Sequence, residues 1–143
     1  MKTSKKGIDI IKKYEGCKLV GYLCPAGVPT VGYGHTGTVL GKPVIVGMKI
    51  TQSHAEKILK TDLEKYEEKV NKYLKKYNWT QNEFDAMVSF AYNLGSIDKL
   101  TVNGTRTKAE IATKILLYNQ AGGKELAGLT RRRKEEQALF LAK

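Results

Sequence analysis

EGCKLVGYLCPAGVPTVGYGH, residues 15–35, carries an acid, a thiol, a hydroxyl and an imidazole within one short segment: Glu15, Cys24, Thr30 and His35. Its prolines and glycines argue against a helix, because proline removes a backbone donor and glycine costs backbone entropy. Apolar residues alternating between the glycines predict a short β-hairpin or meander instead. Glu15 lies at the end of a helical pattern, and the sheet segment follows it directly. We therefore expect its carboxyl group to face polar groups on a small sheet. Such an arrangement predicts a cleft suited to chemistry.

Helical patterns lie on both sides of this segment. Apolar residues at helical spacing predict a first helix over about Ser4–Tyr14 and a long helix over about Ser53–Leu74. Capping boxes, in which Ser or Thr precedes Glu by three residues, predict three helix starts, at Ser53, Thr80 and Thr107.

The chain length and these patterns predict one α+β domain over residues 1–143, which is long enough to bury a core. An N-terminal helix is followed by a β lobe at about 16–50, and the helix at about 53–74 joins this lobe to a helical lobe at about 80–143. Hydrophobic residues make up 41% of the chain and charged residues 27%, which is typical of a globular protein.

The net charge of +11, from 25 Lys and Arg against 14 Asp and Glu, predicts a polyanionic partner. Nucleic acid, an anionic membrane surface and an acidic polymer such as a bacterial cell wall are the candidates. The basic residues are spread along the chain, and no zinc-finger, RNA-binding or helix-turn-helix pattern accompanies them, so we do not expect nucleic acid. No apolar run approaches the ~18 residues of a membrane span. The N-terminus also lacks a signal-peptide pattern, so we expect cytoplasmic synthesis without export.

Two cysteines, Cys17 and Cys24, are too few for a disulfide framework or a metal set. The two histidines, His35 and His54, are far apart in sequence, so we expect neither a metal nor a cofactor. A cytoplasmic origin predicts free thiols, with a Cys17–Cys24 disulfide as the alternative.

Two further features carry alternative interpretations. Arg131, Arg132 and Arg133 begin a predicted last helix, about 131–141, where the helix dipole disfavours cations. One interpretation is that the three arginines form a solvated basic helix end. The other is that one of them reaches the cleft and pairs with Glu15 or an anionic ligand, and we assign Arg132 to that role. Trp79 is interpreted as a core residue rather than as a sugar platform.

The spacing of the central segment resembles a known catalytic signature. Glu15, eight residues, Cys24, five residues and Thr30 match the pattern of phage-type lysozymes (glycoside hydrolase family 24), in which Asp or Cys takes the middle place. Three blocks resemble that family in matching order: GVPTVGYGH at 27–35, FDAMVSFAYNLG at 84–95 and AGLTRRRKEEQALF at 127–140. The resemblance covers nearly the whole chain. It implies a lysozyme-like α+β fold and hydrolysis of the β-1,4 bond between N-acetylmuramic acid and N-acetylglucosamine in peptidoglycan.

The resemblance also implies roles for individual residues. Glu15 matches the general acid, and an apolar, enclosed cleft raises the pKa of a carboxylic acid enough for it to donate a proton near neutral pH. Thr30 matches the hydroxyl that helps to hold the attacking water. His35 matches a structural histidine whose implied partner, Asp62 on the long helix, would tie the two lobes together and support the cleft.

Cys24 stands where many members of that family carry Asp, which acts on the water or stabilises the transition state. A neutral thiol does neither well, whereas a thiolate could act as base or nucleophile if its pKa lies below the free value of about 8.5. We expect Cys24 to be functional. The alternative is a small buried thiol, with Glu15 and Thr30 carrying the reaction. Whether the outcome is inverting, as is usual for the family, stays open.

These features together predict a phage endolysin, an enzyme that accumulates in the host cytoplasm and then acts on the cell wall. We expect it to be a monomer that contacts peptidoglycan and, through its charge, anionic wall polymers, without inserting into a membrane. Two alternatives stay open: a lytic transglycosylase, which cuts the same bond with one Glu, and a non-catalytic wall-binding or antimicrobial basic protein.

Overall fold

A computed structural model describes residues 1–143, which divide into two compact units. The sheet unit comprises residues 15–64, and the helical unit comprises residues 1–14 and 65–143. The helices are α1 (Lys5–Glu15), α2 (Gln52–Asn71), α3 (Leu74–Tyr77), α4 (Gln81–Leu94), α5 (Asp98–Thr101), α6 (Lys108–Lys114) and α7 (Ala127–Leu141). Three antiparallel hairpins are formed by β1 (Lys18–Leu23) and β2 (Pro29–Gly32), β3 (Thr38–Val39) and β4 (Lys42–Pro43), and β5 (Gln120–Ala121) and β6 (Lys124–Glu125). The predicted α+β class is confirmed.

The sheet unit is built on the β1–β2 hairpin, in which Tyr22 lies opposite Thr30. The register shifts between Lys18 and Tyr22, and there β1 bonds instead to the segment after β4. The Gly21 N–H donates to the Met48 carbonyl at 2.6 Å. A Cβ at Gly21 would lie 2.1 Å from the Ile45 carbonyl oxygen, so this close approach requires glycine.

A small apolar core holds the sheet unit together. Val31, Val39 and Val44 are buried, and Met48, Ile50 and Ile58 pack around them. Ile58 belongs to the part of α2 that lies in this unit, residues 52–64. The core therefore joins both hairpins of this unit to one face of α2.

The start of α2 differs from the prediction, which put the capping box at Ser53. The helix begins at Gln52, and the hydroxyl of Thr51 accepts the His54 N–H at 3.1 Å. Thr51 is therefore the capping residue, two positions before Ser53. The helix ends at Asn71, three residues before the predicted end at Leu74, and Leu74 begins the separate short helix α3.

The helical unit is organised around α4, in which every residue from Phe84 to Ala91 is buried. Both predicted capping boxes of this unit are confirmed: the Thr80 side chain accepts from the Glu83 N–H and the Thr107 side chain from the Glu110 N–H. Helix α7 packs against α4. A helix buried on all sides forms the centre of its unit.

Trp79 is a core residue, as predicted. Its side chain is buried, its indole Nε1 donates to the Val70 carbonyl at 3.2 Å, and its ring stacks on Tyr77 with a centroid distance of 4.5 Å. Phe140 of α7 meets the indole edge-on. These contacts attach the C-terminal helix to the segment before α4.

Helix α7 starts at Ala127, four residues earlier than predicted. No side chain caps this end, because Leu126 occupies the capping position, so no sequence signal marks it. Arg131, Arg132 and Arg133 consequently lie beyond the first turn, where the dipole no longer disfavours cations. None of the helices combines the length and apolar composition needed to cross a bilayer.

Candidate active site

Glu15 is the last residue of α1 and the first residue of the sheet unit. Its side chain is half-buried and approaches Gly34, where an added Cβ would lie 3.0 Å from the Glu15 Oε1. Gly34 has a φ of +77° and belongs to the tight turn after β2, closed by two 2.9 Å bonds between the backbones of Val31 and His35. The turn thus places bare backbone, without a side chain, beside the carboxyl group of Glu15.

Cys24 opens the turn of the β1–β2 hairpin. Its carbonyl accepts the Gly27 N–H at 2.8 Å and its N–H donates to the Val28 carbonyl at 3.0 Å. Pro25 follows Cys24 in the turn, and Gly27 adopts a φ of +77°. This arrangement is a three-residue hairpin loop with a left-handed glycine at its end, and it fixes the position of the thiol.

The surroundings of the Cys24 thiol favour its charged form. Hydrogen bonds from the backbone of Val28 and then of Ala26, with a smaller contribution from the Thr30 hydroxyl, lower the pKa of Cys24 below its usual value. The thiolate fraction near neutral pH therefore exceeds that of a free cysteine.

Thr30 lies on β2, buried and opposite Tyr22. Its hydroxyl donates to the Val28 carbonyl at 2.8 Å and also contacts the Cys24 thiol. Since a hydroxyl has only one proton, Thr30 donates either to the Val28 carbonyl or to the Cys24 thiolate, and in both cases its oxygen can accept from another group. The hairpin therefore brings Cys24 and Thr30 together around Val28.

His35 and Asp62 form the contact that the resemblance implied, with 2.7 Å between His35 Nδ1 and Asp62 Oδ2. The other ring nitrogen lies 2.7 Å from the Thr38 carbonyl. Both residues belong to the sheet unit, so the pair joins the end of the β2 turn to α2 within that unit. The prediction that it ties two lobes together is corrected in this respect.

Arg132 lies in the helical unit, where its side chain is 3% exposed. Its Nε is 3.2 Å from the Glu136 carboxylate, its Nη2 donates to the Ser89 carbonyl at 2.9 Å, and its guanidinium lies 5.8 Å from the centre of the Tyr14 ring. Arg133 is fully buried beside the same carboxylate. The alternative of a solvated basic end is therefore wrong for these two arginines, and a role for Arg132 toward substrate stays a prediction.

Both cysteines are free thiols, as expected, and Cys17 Sγ lies 3.6 Å from Gln52 Oε1. Sequence reasoning missed Gly34, which it treated only as a helix-breaking residue. Gly34 lies near Glu15 because the turn after β2 packs against the last residue of α1. This contact between separate segments leaves no local pattern in the sequence.

Comparison with known proteins gives consistent results. The family model described as phage lysozyme matches residues 12–136 of this chain. The endolysin of Salmonella phage P22 is 35% identical over 150 residues, which cover 99% of this chain and 99% of that protein. The endolysin of Bacillus phage PZA is 39% identical over 150 residues, covering 98% of this chain but 55% of the relative. The chain thus spans just over half the length of this second relative.

A solved structure is similar over most of its length. The endolysin from Escherichia coli O157:H7 phage FAHEc1 aligns with 99% of this chain and 94% of its own, at 41% identity and a TM-score of 0.83. The observed arrangement of helices and small antiparallel sheets is therefore that of a characterised fold.

Proposed function

Because this chain belongs to the phage lysozyme family, we propose that it is a muramidase that hydrolyses the β-1,4 bond between N-acetylmuramic acid and N-acetylglucosamine in bacterial peptidoglycan. Relatives of similar sequence are endolysins, so we also propose that the reaction serves host lysis and phage release. The enzyme would stay in the host cytoplasm until lysis and act as a monomer.

One observation carries the proposal. Within a single unit, Glu15 is held beside the bare backbone of Gly34, while Cys24 and Thr30 meet around Val28. Glycoside hydrolysis needs one group that protonates the leaving oxygen and another that positions and deprotonates water. Glu15 can serve as the first, and the pair of Thr30 and Cys24 as the second.

The reaction follows from the roles of these three side chains. Glu15 in its protonated form donates its proton to the glycosidic oxygen as the bond to the anomeric carbon breaks. Thr30 accepts a hydrogen bond from the attacking water through its hydroxyl oxygen, while its own proton is directed to the Val28 carbonyl or to the Cys24 thiolate. The Cys24 thiolate takes one proton from that water as the water oxygen bonds to the anomeric carbon, and the other proton stays on the new hydroxyl; attack opposite the leaving group would invert the anomeric centre.

The charge of the molecule supports a wall substrate. With a net charge of +11, the enzyme is attracted to polymers that carry phosphate and carboxylate groups. We propose peptidoglycan as its substrate and anionic wall polymers as its secondary partners.

The test compares Glu15→Gln with wild type on isolated cell walls. Loss of the proton donor should lower the hydrolysis rate by about 10²–10⁴-fold, while the circular dichroism spectrum and Tm stay close to those of wild type. Glu64→Gln, which neutralises an exposed carboxylate of α2 in the same unit, is the matched control and should retain activity. Equal rates for Glu15→Gln and wild type would refute the assignment.

A further inference from the structure

A pocket of about 330 Å³ lies in the sheet unit, between α2 and the β3–β4 turn. Val39, Leu40 and Ile58 contribute apolar side chains to its wall, and none of Glu15, Cys24 or Thr30 lines it. Its volume is at the lower end of the range for small-ligand sites, which is about 300–1,000 Å³. The pocket is therefore a separate place that can take a small molecule or the end of a chain.

Leu40 has an unusual conformation at the edge of this pocket. It has a φ of +51° and is followed by Gly41 at +78°, in the two-residue turn that joins Val39 to Lys42. Such turns favour Asn and Gly because both central residues adopt positive φ. The leucine side chain is nevertheless 87% exposed. A strained, exposed leucine gains little from the fold itself, so its side chain is available for contact with a ligand.

The charges in the pocket select the ligand. His54 and Lys57 of α2 provide cationic or donor groups, and the one carboxylate in the lining, Asp62, is already engaged by His35 at 2.7 Å. A ligand with an anionic end is therefore complementary to the pocket. Its remaining part must be small and apolar, to match Leu40 and Ile58.

We propose that this pocket binds a short peptide with small apolar side chains and a free terminal carboxylate, with the carboxylate at Lys57 and His54. This is the chemistry of the stem peptides that hang from peptidoglycan glycan strands. The inference rests on the proposed function, because that function brings the protein to a glycan bearing such peptides.

The pocket is connected to the acid through the turn after β2. His35 lines the pocket and bonds through its backbone to Val31, and the adjacent Gly34 contacts Glu15. A peptide held in the pocket would therefore bind one turn away from the residue that donates the proton.

The test is a titration of the ¹⁵N-labelled protein with N-acetyl-D-alanyl-D-alanine, followed by NMR chemical shifts. We expect shifts at Val39, Leu40 and Ile58, and no comparable shifts with the amidated form of the same dipeptide. Lys57→Gln should raise the Kd about tenfold, since a charge-assisted hydrogen bond is lost. Lys60→Gln removes the same charge from the next turn of α2, outside the pocket lining, and should leave the Kd within about twofold.

A second variant separates binding from folding. Leu40→Asn places a residue that tolerates positive φ in the turn, so its Tm should rise by a few degrees, while its Kd for the dipeptide should rise about fivefold as apolar contact is lost. A lower Tm without weaker binding would mean that Leu40 serves the fold alone, and the inference would fail.

Other results would also overturn the inference. These are absence of shifts around the pocket, equal binding of the amidated dipeptide, and full displacement of the dipeptide by equimolar inorganic phosphate, which would indicate a general anion site. The titration needs no catalysis. Wall hydrolysis without dipeptide binding would reject this inference alone, and dipeptide binding without wall hydrolysis would reject the proposed function alone.

Discussion

At the scale of single residues, Cys24 is the member of the proposed catalytic set for which the resemblance to phage-type lysozymes implies a carboxylate in many relatives. Its thiol is surrounded by the backbone of Val28 and Ala26 and by the Thr30 hydroxyl, and these groups lower its pKa. The hairpin turn therefore stabilises a negative charge on the thiol, a charge that an aspartate would carry without such help.

The first prediction concerns the reactivity of this thiol. In a Cys17→Ser background, the rate of Cys24 alkylation by iodoacetamide should follow the thiolate fraction, with a midpoint below that of a free cysteine measured in parallel. Because the pKa of Cys24 is lowered, the reactive form should persist to a lower pH than in free cysteine and decline as the pH falls through the shifted midpoint. Thr30→Val removes one of the stabilising groups and should move the midpoint upward. A midpoint at or above that of free cysteine would contradict this account.

Gly34 leads to a second prediction at this scale. Gly34→Ala adds a Cβ about 3.0 Å from Glu15 Oε1 and imposes a positive φ on alanine, so it should displace the acid and lower the hydrolysis rate by about tenfold or more. The backbone strain should cost about 1–2 kcal/mol of stability. Gly37→Ala is the matched control, since Gly37 also has a positive φ, +96°, but no atom lies within 4 Å of the position that its Cβ would take. Equal losses of activity in both variants would show that strain, and not contact with Glu15, is responsible.

At the scale of elements, helix starts were predictable where a side chain caps the helix. Thr80 and Thr107 each begin a confirmed capping box. These boxes were predictable because their hydrogen bonds join residues only three positions apart. The start of α7 gave no such signal, since Leu126 cannot cap. At α2, the helix is capped by Thr51 instead of the predicted Ser53, because the helix begins at Gln52, where the preceding chain leaves the sheet.

The capping correction gives the third prediction. Thr51→Ala should destabilise the protein by about 1 kcal/mol, because the His54 N–H loses its acceptor. Ser53→Ala, within the first turn and exposed, should change stability by less than about 0.5 kcal/mol. Urea unfolding of the two variants measures the difference, and the opposite order would restore Ser53 as the cap.

Contacts between distant segments explain why other features could not be predicted. Gly21 is needed because the Ile45 carbonyl lies where its Cβ would be, and Gly34 because Glu15 approaches it. Neither approach is encoded in local spacing. The residues that carry the proposed chemistry were predictable because their spacing matches a family signature, whereas the geometry around them depends on the packing of the whole unit.

At the scale of the whole molecule, the net charge of +11 gives the fourth prediction. Hydrolysis of isolated cell walls should slow by about tenfold or more between 0.02 M and 0.3 M salt, because screening weakens attraction to anionic polymers. A short, soluble glycan of alternating N-acetylmuramic acid and N-acetylglucosamine, free of anionic wall polymers, is the control substrate, and its cleavage should depend less steeply on salt. A flat salt dependence on walls would mean that charge does not guide the encounter with substrate.

The most direct test of the central claim is mass spectrometry of the soluble fragments released from purified peptidoglycan, with Glu15→Gln in parallel. We predict muropeptides with reducing N-acetylmuramic acid ends from the wild-type protein and none above background from the variant. Anhydro-muramyl ends would instead assign the protein to the lytic transglycosylases. Wall binding without any released fragments would contradict the proposal of a catalytic muramidase.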